Sequence, residues 1–517
     1  MSIRLSPLFS DNMVLQRNAR VTLWGKADQS FSLRFQQQSV DIAPDASGGW
    51  SAELSNLKPG GPFTMQIGEI VFHHVYVGDV WLCTGQSNMQ LAMDRVQKMF
   101  PDEAVDPCRH IAQFTVVQRT NFHGPMEDLD GGQWIGASPD TIEQFSAAGY
   151  FFAKRLVQRY NVPIGLILCA IGGTPIHAWM SRESLSAYPE LINRADQCKD
   201  DAYIKRVQTE ETAEVDRFFR EIDETDPGLD ARWHDPDCDD TDWPVLPLLT
   251  PLEGTGSFWF RKTLTIPEKL DGMPAQLFLG TIKDHDRVYV NGQLVGTTDY
   301  RYPLRDYKIP ALTAGKCVIA IRVICLEGGG FTPGKQYLLS TALGSFDLNG
   351  DWRVQAGGHT MPYKKPTSFH YVPTSLYNGM FAPLKRLAIT GAIWYQGEAD
   401  TLEPERYADK YEAMIQQWRK DFGFEFPFCF VELAHWGEGA HWDALRAQQR
   451  LTLRVPKTAM AAAFDLGEHN DLHPLGKQVV GDRLAHCAMH IAYGETLNPS
   501  PFEVVLCTHD TDSSNTR

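Results

Sequence analysis

The 517-residue sequence predicts an α/β protein that is preceded and interrupted by all-β segments. Three observations carry that expectation. Strands alternate with helices over residues 78–215, the same alternation resumes over 351–494, and short strand-like runs separated by turn residues fill 1–77 and 216–350. A chain of this length exceeds one ordinary hydrophobic core, so several domains are expected.

Residues 1–77 read as an N-terminal β domain. Runs such as Val21-Thr22-Leu23-Trp24 and Phe63-Thr64-Met65-Gln66-Ile67 alternate with glycine- and proline-containing turns. Residues 78–215 form the first part of the α/β domain: Val80-Trp81-Leu82-Cys83 is a buried strand ending at Thr84-Gly85-Gln86-Ser87, and a helix over Ala147–Tyr160 leads into the strand Ile164–Ala170. Residues 216–350 return to β, with Val288-Tyr289-Val290 followed by Asn291-Gly292 as a hairpin signal, and read as an inserted β-sandwich. Residues 351–494 complete the α/β domain, with strands at Gly391–Tyr395 and Phe428–Leu433, a helix over Arg406–Arg419 and a terminal helix over Leu475–Tyr493. Residues 495–517 form a polar C-terminal tail, expected to be frayed.

Charge narrows the function classes. With 48 Lys+Arg against 64 Asp+Glu the net charge is −16 and no basic cluster breaks the acidic balance, which argues against nucleic acid as a partner. An acidic sugar would have to be held by local donors, because the overall field repels it. No apolar run approaches bilayer length, so no membrane partner is expected. The start, Met1-Ser2-Ile3-Arg4, lacks a secretory pattern; the chain as given reads as cytoplasmic, or as periplasmic or secreted if it is a processed form. The ten cysteines lack C-x-x-C spacing, and most read as reduced core residues.

Four segments carry candidate chemistry, each directly after an apolar strand or before a helix. Ser87, in Gly85-Gln86-Ser87-Asn88-Met89, falls at the carboxyl edge of an α/β sheet, where its hydroxyl can be presented and the following N–H groups can face an oxyanion. A serine N-cap with Asn88 in the first turn explains the same residues. Gly172-Gly173 can expose main-chain amides, although a plain tight turn would also use two glycines. In Trp394-Tyr395-Gln396-Gly397-Glu398-Ala399-Asp400, Gln396 offers a neutral donor, while Glu398 is either a helix cap or packed against the neighbours of the serine. Asp471-Leu472-His473-Pro474 precedes the last helix and offers a fixed imidazole beside a carboxylate, with Asp465 and Glu468 as alternative acids. Among the 16 histidines, His177, His435 and His469 are the rivals of His473.

Taken in order, these four segments closely resemble the sialate O-acetylesterase family of SGNH-type carbohydrate esterases. Leu5–Gln16, Asn378–Leu384 and Leu445–Gln449 extend the likeness to about Gly494. The resemblance implies a flavodoxin-like SGNH hydrolase domain of three α/β/α layers, with an inserted galactose-binding-like β-sandwich over 216–350. It implies Ser87 as nucleophile, His473 as its base and Asp471 as triad acid. The Ser87 amide, Gly173 and Gln396 would line the oxyanion hole, with Gln86, Asn88 and Glu398 binding substrate or supporting the catalytic residues. Its chemistry needs no metal or organic cofactor, and its substrate is a small molecule or glycan carrying O-acetyl groups. Members often continue into another β region where this sequence has its polar tail.

Two other readings fit the same residues. Acetyl-xylan or another polysaccharide would change the sugar and keep the chemistry. A non-catalytic carbohydrate-binding protein would rest on Trp259, Tyr289, Tyr300, Tyr302 and Tyr337 of the β insert, although such aromatic residues are more often core.

Overall fold

The computed structural model describes residues 2–437, 439–468 and 471–496, and the backbone of 504–506. The chain divides into two compact units, Met1–Asp201 with Ser368–Arg517, and Ala202–Thr367.

The first unit is organised by β1 (Ile70–Gly85), 16 residues long, which serves two sheets. Its first half pairs with Gly60–Ile67 and with Val14–Gln16 in the N-terminal β region. Its second half, every residue from Gly78 to Gly85 buried, enters a parallel sheet. One strand shared by both regions, and one core cluster running from Leu8 to Met489, explain why residues 1–77 do not stand as a separate domain.

The short helix α1 (Ser87–Gln90) follows β1. Next come β2 (Ile111–Thr115), β3 (Trp134–Gly136), α2 (Ala147–Tyr160) and β4 (Ile164–Ala170). The helix α2 starts where Ser146 accepts from the Gly149 N–H and ends at Asn161, which is left-handed. After the inserted unit the chain adds β5 (Gly391–Tyr395), α3 (Tyr407–Phe422), β6 (Phe428–Val431), α4 (Trp442–Leu451), β7 (Thr458–Ala461), α5 (Lys477–Ile491) and β8 (Val504–Leu506). The strand order is β3-β2-β4-β1-β5-β6-β7-β8, parallel throughout except for the two edge strands β3 and β8. The strands β1, β4 and β5 are buried along their paired lengths, as near-continuous apolar runs in a parallel sheet require.

Two expectations shift. The last helix begins at Lys477 and not at Leu475, so Pro474 stands ahead of it. The tail expected to fray contains β8, antiparallel to β7; the remainder of 497–517, with Cys507, lies outside the described residues. The nine other cysteines are free, and all except Cys108 and Cys238 are buried.

The second unit contains a two-stranded pair, Ile282–Lys283 with Gly330–Phe331, and two larger antiparallel sheets, which share one buried cluster. One sheet runs Val245–Pro247, Asp351–His359, Gly256–Ile266, Gly315–Cys325, His285–Val290, Gln293–Thr298. The other runs Asp306–Ile309, Ala275–Leu279, Tyr337–Thr341, Gly344–Asp347. Ile319, Ile321 and Val323 from the first share the cluster with Leu277 and Leu339 from the second. The expected hairpin forms, with Asn291 at φ 48° and Gly292 at φ 80°. The unit is longer than 216–350 at both ends: the helix Asp201–Glu224 packs Phe218 and Ile222 on Ile324, and the strand Asp351–His359 pairs with Gly256–Ile266. Trp259 and Tyr337, candidates for sugar stacking, are buried; Tyr300 is exposed.

Candidate active site

The order of β4-β1-β5 places consecutive strands on opposite sides of β1, and a sheet opens a crevice at the carboxyl ends of strands where the order reverses in this way. Three of the four sequence segments leave the sheet there, after β1, β4 and β5.

The first segment turns at Gly85. Its φ of 129° and the collision a Cβ would make with the Tyr395 carbonyl oxygen both require glycine. Ser87 is the first residue of α1, with Gln86 as its cap, so its hydroxyl is not the helix cap. Instead Ser87 Oγ lies 2.9 Å from His473 Nε2. Serine and imidazole at that separation can pass a proton between them.

The loop carrying His473 is pinned from both sides. Asp471 Oδ1 accepts the His473 main-chain N–H at 2.8 Å, and the Leu472 carbonyl accepts from Asn88 Nδ2 at 2.9 Å. Asp471 Oδ1 stands 3.8 Å from His473 Nδ1, beyond hydrogen-bond reach although it is close enough to act through its charge. Asp465 is committed to Arg483 by bonds of 2.6 and 2.8 Å, which removes it as an alternative acid. Burial, reinforced by the charges of Lys477 and Arg95, pushes the His473 imidazole down to about 3. It is therefore neutral, and able to accept a proton, at any pH near neutrality.

The rival histidines fall away. His177 Nε2 faces the Tyr371 carbonyl oxygen at 3.0 Å, and its pKa is held down to about 3, chiefly by burial. His435 is exposed, and His469 lies outside the described residues.

The glycine pair lies against the serine: a Cβ on Gly172 would come within 3.3 Å of Ser87 Cβ. The Gly172 N–H is taken by Gln90 Oε1 at 2.8 Å. Gly173 has φ 74°, and a Cβ there would collide with the Tyr371 hydroxyl. Among the described residues, neither the Ser87 nor the Gly173 main-chain N–H donates to another protein group.

Gln396 departs from the oxyanion expectation. Its side chain is fully buried, and Nε2 spends both protons internally, on the Thr174 carbonyl at 3.0 Å and on Asp400 Oδ2 at 2.5 Å. Tyr407 donates to its Oε1 at 2.8 Å. An amide so committed has no donor left for a ligand. The reason is local: Asp400, two residues beyond Glu398, turns back under the loop and also accepts the Ile176 N–H at 2.9 Å.

Gln86 and Asn88 are buried, and their side chains bond to protein partners. Gln86 Oε1 accepts weakly from the N–H groups of Gly397 and Ala399 at 3.4 and 3.3 Å, tying the serine turn to the β5 loop. Glu398 Oε1 accepts from Asn88 Nδ2, so Glu398 packs against the neighbour of the serine and is no simple helix cap. Tyr371, Asp400, Arg95 and Lys477 are site neighbours that sequence reasoning missed. Asp400 stood within a motif already singled out, whereas nothing in the sequence distinguishes the other three.

The fold as a whole is that of a carbohydrate esterase. A solved carbohydrate acetylesterase from Xanthomonas citri superposes with a TM-score of 0.59 at 24% identity, over 96% of this chain and 76% of its own. The chain belongs to the carbohydrate esterase family described as sialic acid-specific acetylesterases, whose family model matches residues 77–209 and 342–490. The sialate O-acetylesterases of Pongo abelii and Homo sapiens are each similar at 30% identity over 208 residues, 36% of this chain and 40% of their own length. The chain thus spans well under half of those relatives in the matched region. The Mus musculus sialate O-acetylesterase is 28% identical over 540 residues, 95% of this chain and 74% of its own.

Proposed function

We propose that the protein is a serine O-acetylesterase that hydrolyses acetyl esters of sialic acid. The observation that carries this reading is the 2.9 Å approach of His473 Nε2 to Ser87 Oγ at the switch point of the sheet, in a chain of the sialic acid-specific acetylesterase family.

Ser87 Oγ attacks the acetyl carbonyl carbon while His473 Nε2 takes its proton. The tetrahedral oxyanion is held by the Ser87 and Gly173 amides. His473 returns the proton to the sugar oxygen as the C–O bond breaks, leaving acetyl-Ser87. Water then adds to that ester, with His473 taking its proton; acetate leaves and Ser87 Oγ regains a proton. The Asp471 carboxylate stabilises the imidazolium formed in both halves.

The strands β4-β1-β5-β6-β7, taken alone, run 2-1-3-4-5, the order of flavodoxin-like sheets, which supports the SGNH hydrolase assignment. We also infer that the unit Ala202–Thr367 is the galactose-binding-like insert, its two larger antiparallel sheets sharing one core being the supporting feature. For an acidic sugar the needed local cation is Arg95. It is half-buried, its charge acts on His473, and its guanidinium is ion-paired to no other described residue.

The test is acetate release from O-acetylated sialic acid beside acetylated xylan, with wild-type protein and Ser87→Ala. Serine-dependent release from the sialic acid supports the reading. Serine-dependent release from xylan alone would keep the mechanism and transfer the substrate to polysaccharide.

A further inference from the structure

Lys477 opens α5, and its side chain is fully buried. This is an unfavourable place for a cation on two counts, since it is removed from water and stands at the positive end of a helix dipole. Burial lowers its pKa to about 7 against the pull of the Glu398 and Asp471 carboxylates, with Arg95 opposing them. His473, whose pKa its charge lowers, and the Tyr395 ring, 5.1 Å from Nζ, complete the groups around it.

The hydrogen bonds show what the lysine does there. Nζ donates to Asn88 Oδ1 at 2.5 Å, while Asn88 Nδ2 donates to both the Leu472 carbonyl and Glu398 Oε1. An asparagine amide has nearly the same shape in its two flipped orientations, and its neighbours decide which is adopted. An ammonium donor, the form Lys477 takes below about pH 7, admits only the oxygen, so it turns the N–H pair toward Leu472 and Glu398. Asn88 follows Ser87 in sequence and Leu472 precedes His473. The bridge therefore joins the two loops that bring Ser87 and His473 together. Glu398 closes the arrangement with a second oxygen, Oε2, that is buried without a hydrogen-bond partner, so the nearby cation offsets its charge.

We propose that Lys477 is a positioning residue, which orients Asn88 so that the serine and histidine loops are locked at reactive distance and which balances the Glu398 carboxylate beneath them. The inference rests on the reading of Ser87 and His473 as the catalytic pair. A residue needed only to fill the core would be replaceable by an apolar side chain of similar volume, often without loss.

The experiment uses the full chain and O-acetylated sialic acid, with kcat expressed per reactive serine counted by stoichiometric phosphonylation. Lys477→Met is expected to lower kcat by about 10²-fold, the effect of misplacing reacting groups by about 1 Å, with KM within about threefold of wild type. The acid limb of kcat/KM should rise toward pH 6.5, because a charge that depresses His473 has been removed. Lys477→Gln, which keeps a donor without the charge, guards against a folding defect and should show the raised limb with a smaller loss of kcat. Adding Glu398→Gln to Lys477→Met should recover part of kcat, since the uncompensated carboxylate is gone. Unchanged kcat and an unmoved acid limb in both lysine variants, measured per reactive serine, would overturn the proposal. If Ser87→Ala in the same assay keeps full activity, it is instead the catalytic reading that fails.

Discussion

His473 Nε2 stands 2.9 Å from Ser87 Oγ, across 386 positions of sequence, with the inserted unit Ala202–Thr367 lying between them in the chain. Both residues belong to the same compact unit, Ser87 just after β1 and His473 just ahead of α5, so the insert does not interrupt the site.

If this pair transfers the proton in both halves of the reaction, Ser87→Ala and His473→Ala each lower kcat by at least about 10⁴-fold, and the double variant is no worse than either alone. Acetate release under saturating substrate measures this. Simple multiplication of the two losses would show that the residues act independently, against the mechanism.

Gln396 and Gly173 should fail in different ways. Gln396→Ala takes one donor from the buried Asp400 carboxylate, leaving it the Ile176 N–H, and the best acceptor from the Tyr407 hydroxyl, so it should cost about 1–3 kcal/mol of stability, seen as a lower Tm, with kcat per reactive serine within about tenfold. Gly173→Ala meets both a positive φ and the Tyr371 hydroxyl, and it moves an amide proposed to hold the oxyanion. A loss of about 10²–10³-fold in kcat is expected. The opposite pattern would return Gln396 to the oxyanion hole.

The pH dependence follows from the sign of the histidine shifts. His473 and His177 both titrate at about 3 in the folded chain against 6.5 for the free side chain, so between those values the unfolded chain binds protons that the folded one refuses. Their contribution to stability is complete above pH 6.5 and is lost as the pH falls from there toward about 3. Activity should persist below pH 5 for as long as the fold survives. Thermal melts and kcat/KM between pH 4 and pH 8, roughly the span of a histidine titration, check both statements. An acid limb centred at 6.5 would show that His473 is not held neutral by its surroundings.

Arg95 should matter to the substrate more than to the chemistry. Arg95→Ala is expected to reduce kcat/KM for O-acetylated sialic acid by about tenfold or more, the range of a lost charge-assisted hydrogen bond, and to leave a neutral acetyl ester nearly unaffected. Equal losses on both substrates would remove Arg95 as the partner of an acidic sugar.

The sequence disclosed the site where chemistry and backbone coincide. A strand ending in Gly-Gln-Ser, a glycine pair after the next parallel strand and Asp-x-His-Pro before a helix are all local patterns, and the structure brings Ser87, Gly172-Gly173 and His473 together. It misled where direction matters. Gln396 follows a buried strand as an exposed donor would, yet Asp400 and Thr174 turn its amide inward, and no linear pattern records that turn. Lys477 resembled any polar residue at a helix start, since its partner Asn88 lies 389 positions away. The boundaries of the β regions shifted for a related reason: β1 runs through two sheets, and the helix Asp201–Glu224, absent from the expectations drawn from the sequence, spans the expected boundary at 215/216.

The most direct test of the central claim is mass spectrometry of the protein acid-quenched during turnover of O-acetylated sialic acid, with peptides mapped for added acetyl groups. The account predicts one acetyl group on the peptide carrying Ser87, absent in Ser87→Ala and absent without substrate. Rapid acetate release with Ser87 unmodified at every quench time, and undiminished in Ser87→Ala, would contradict it.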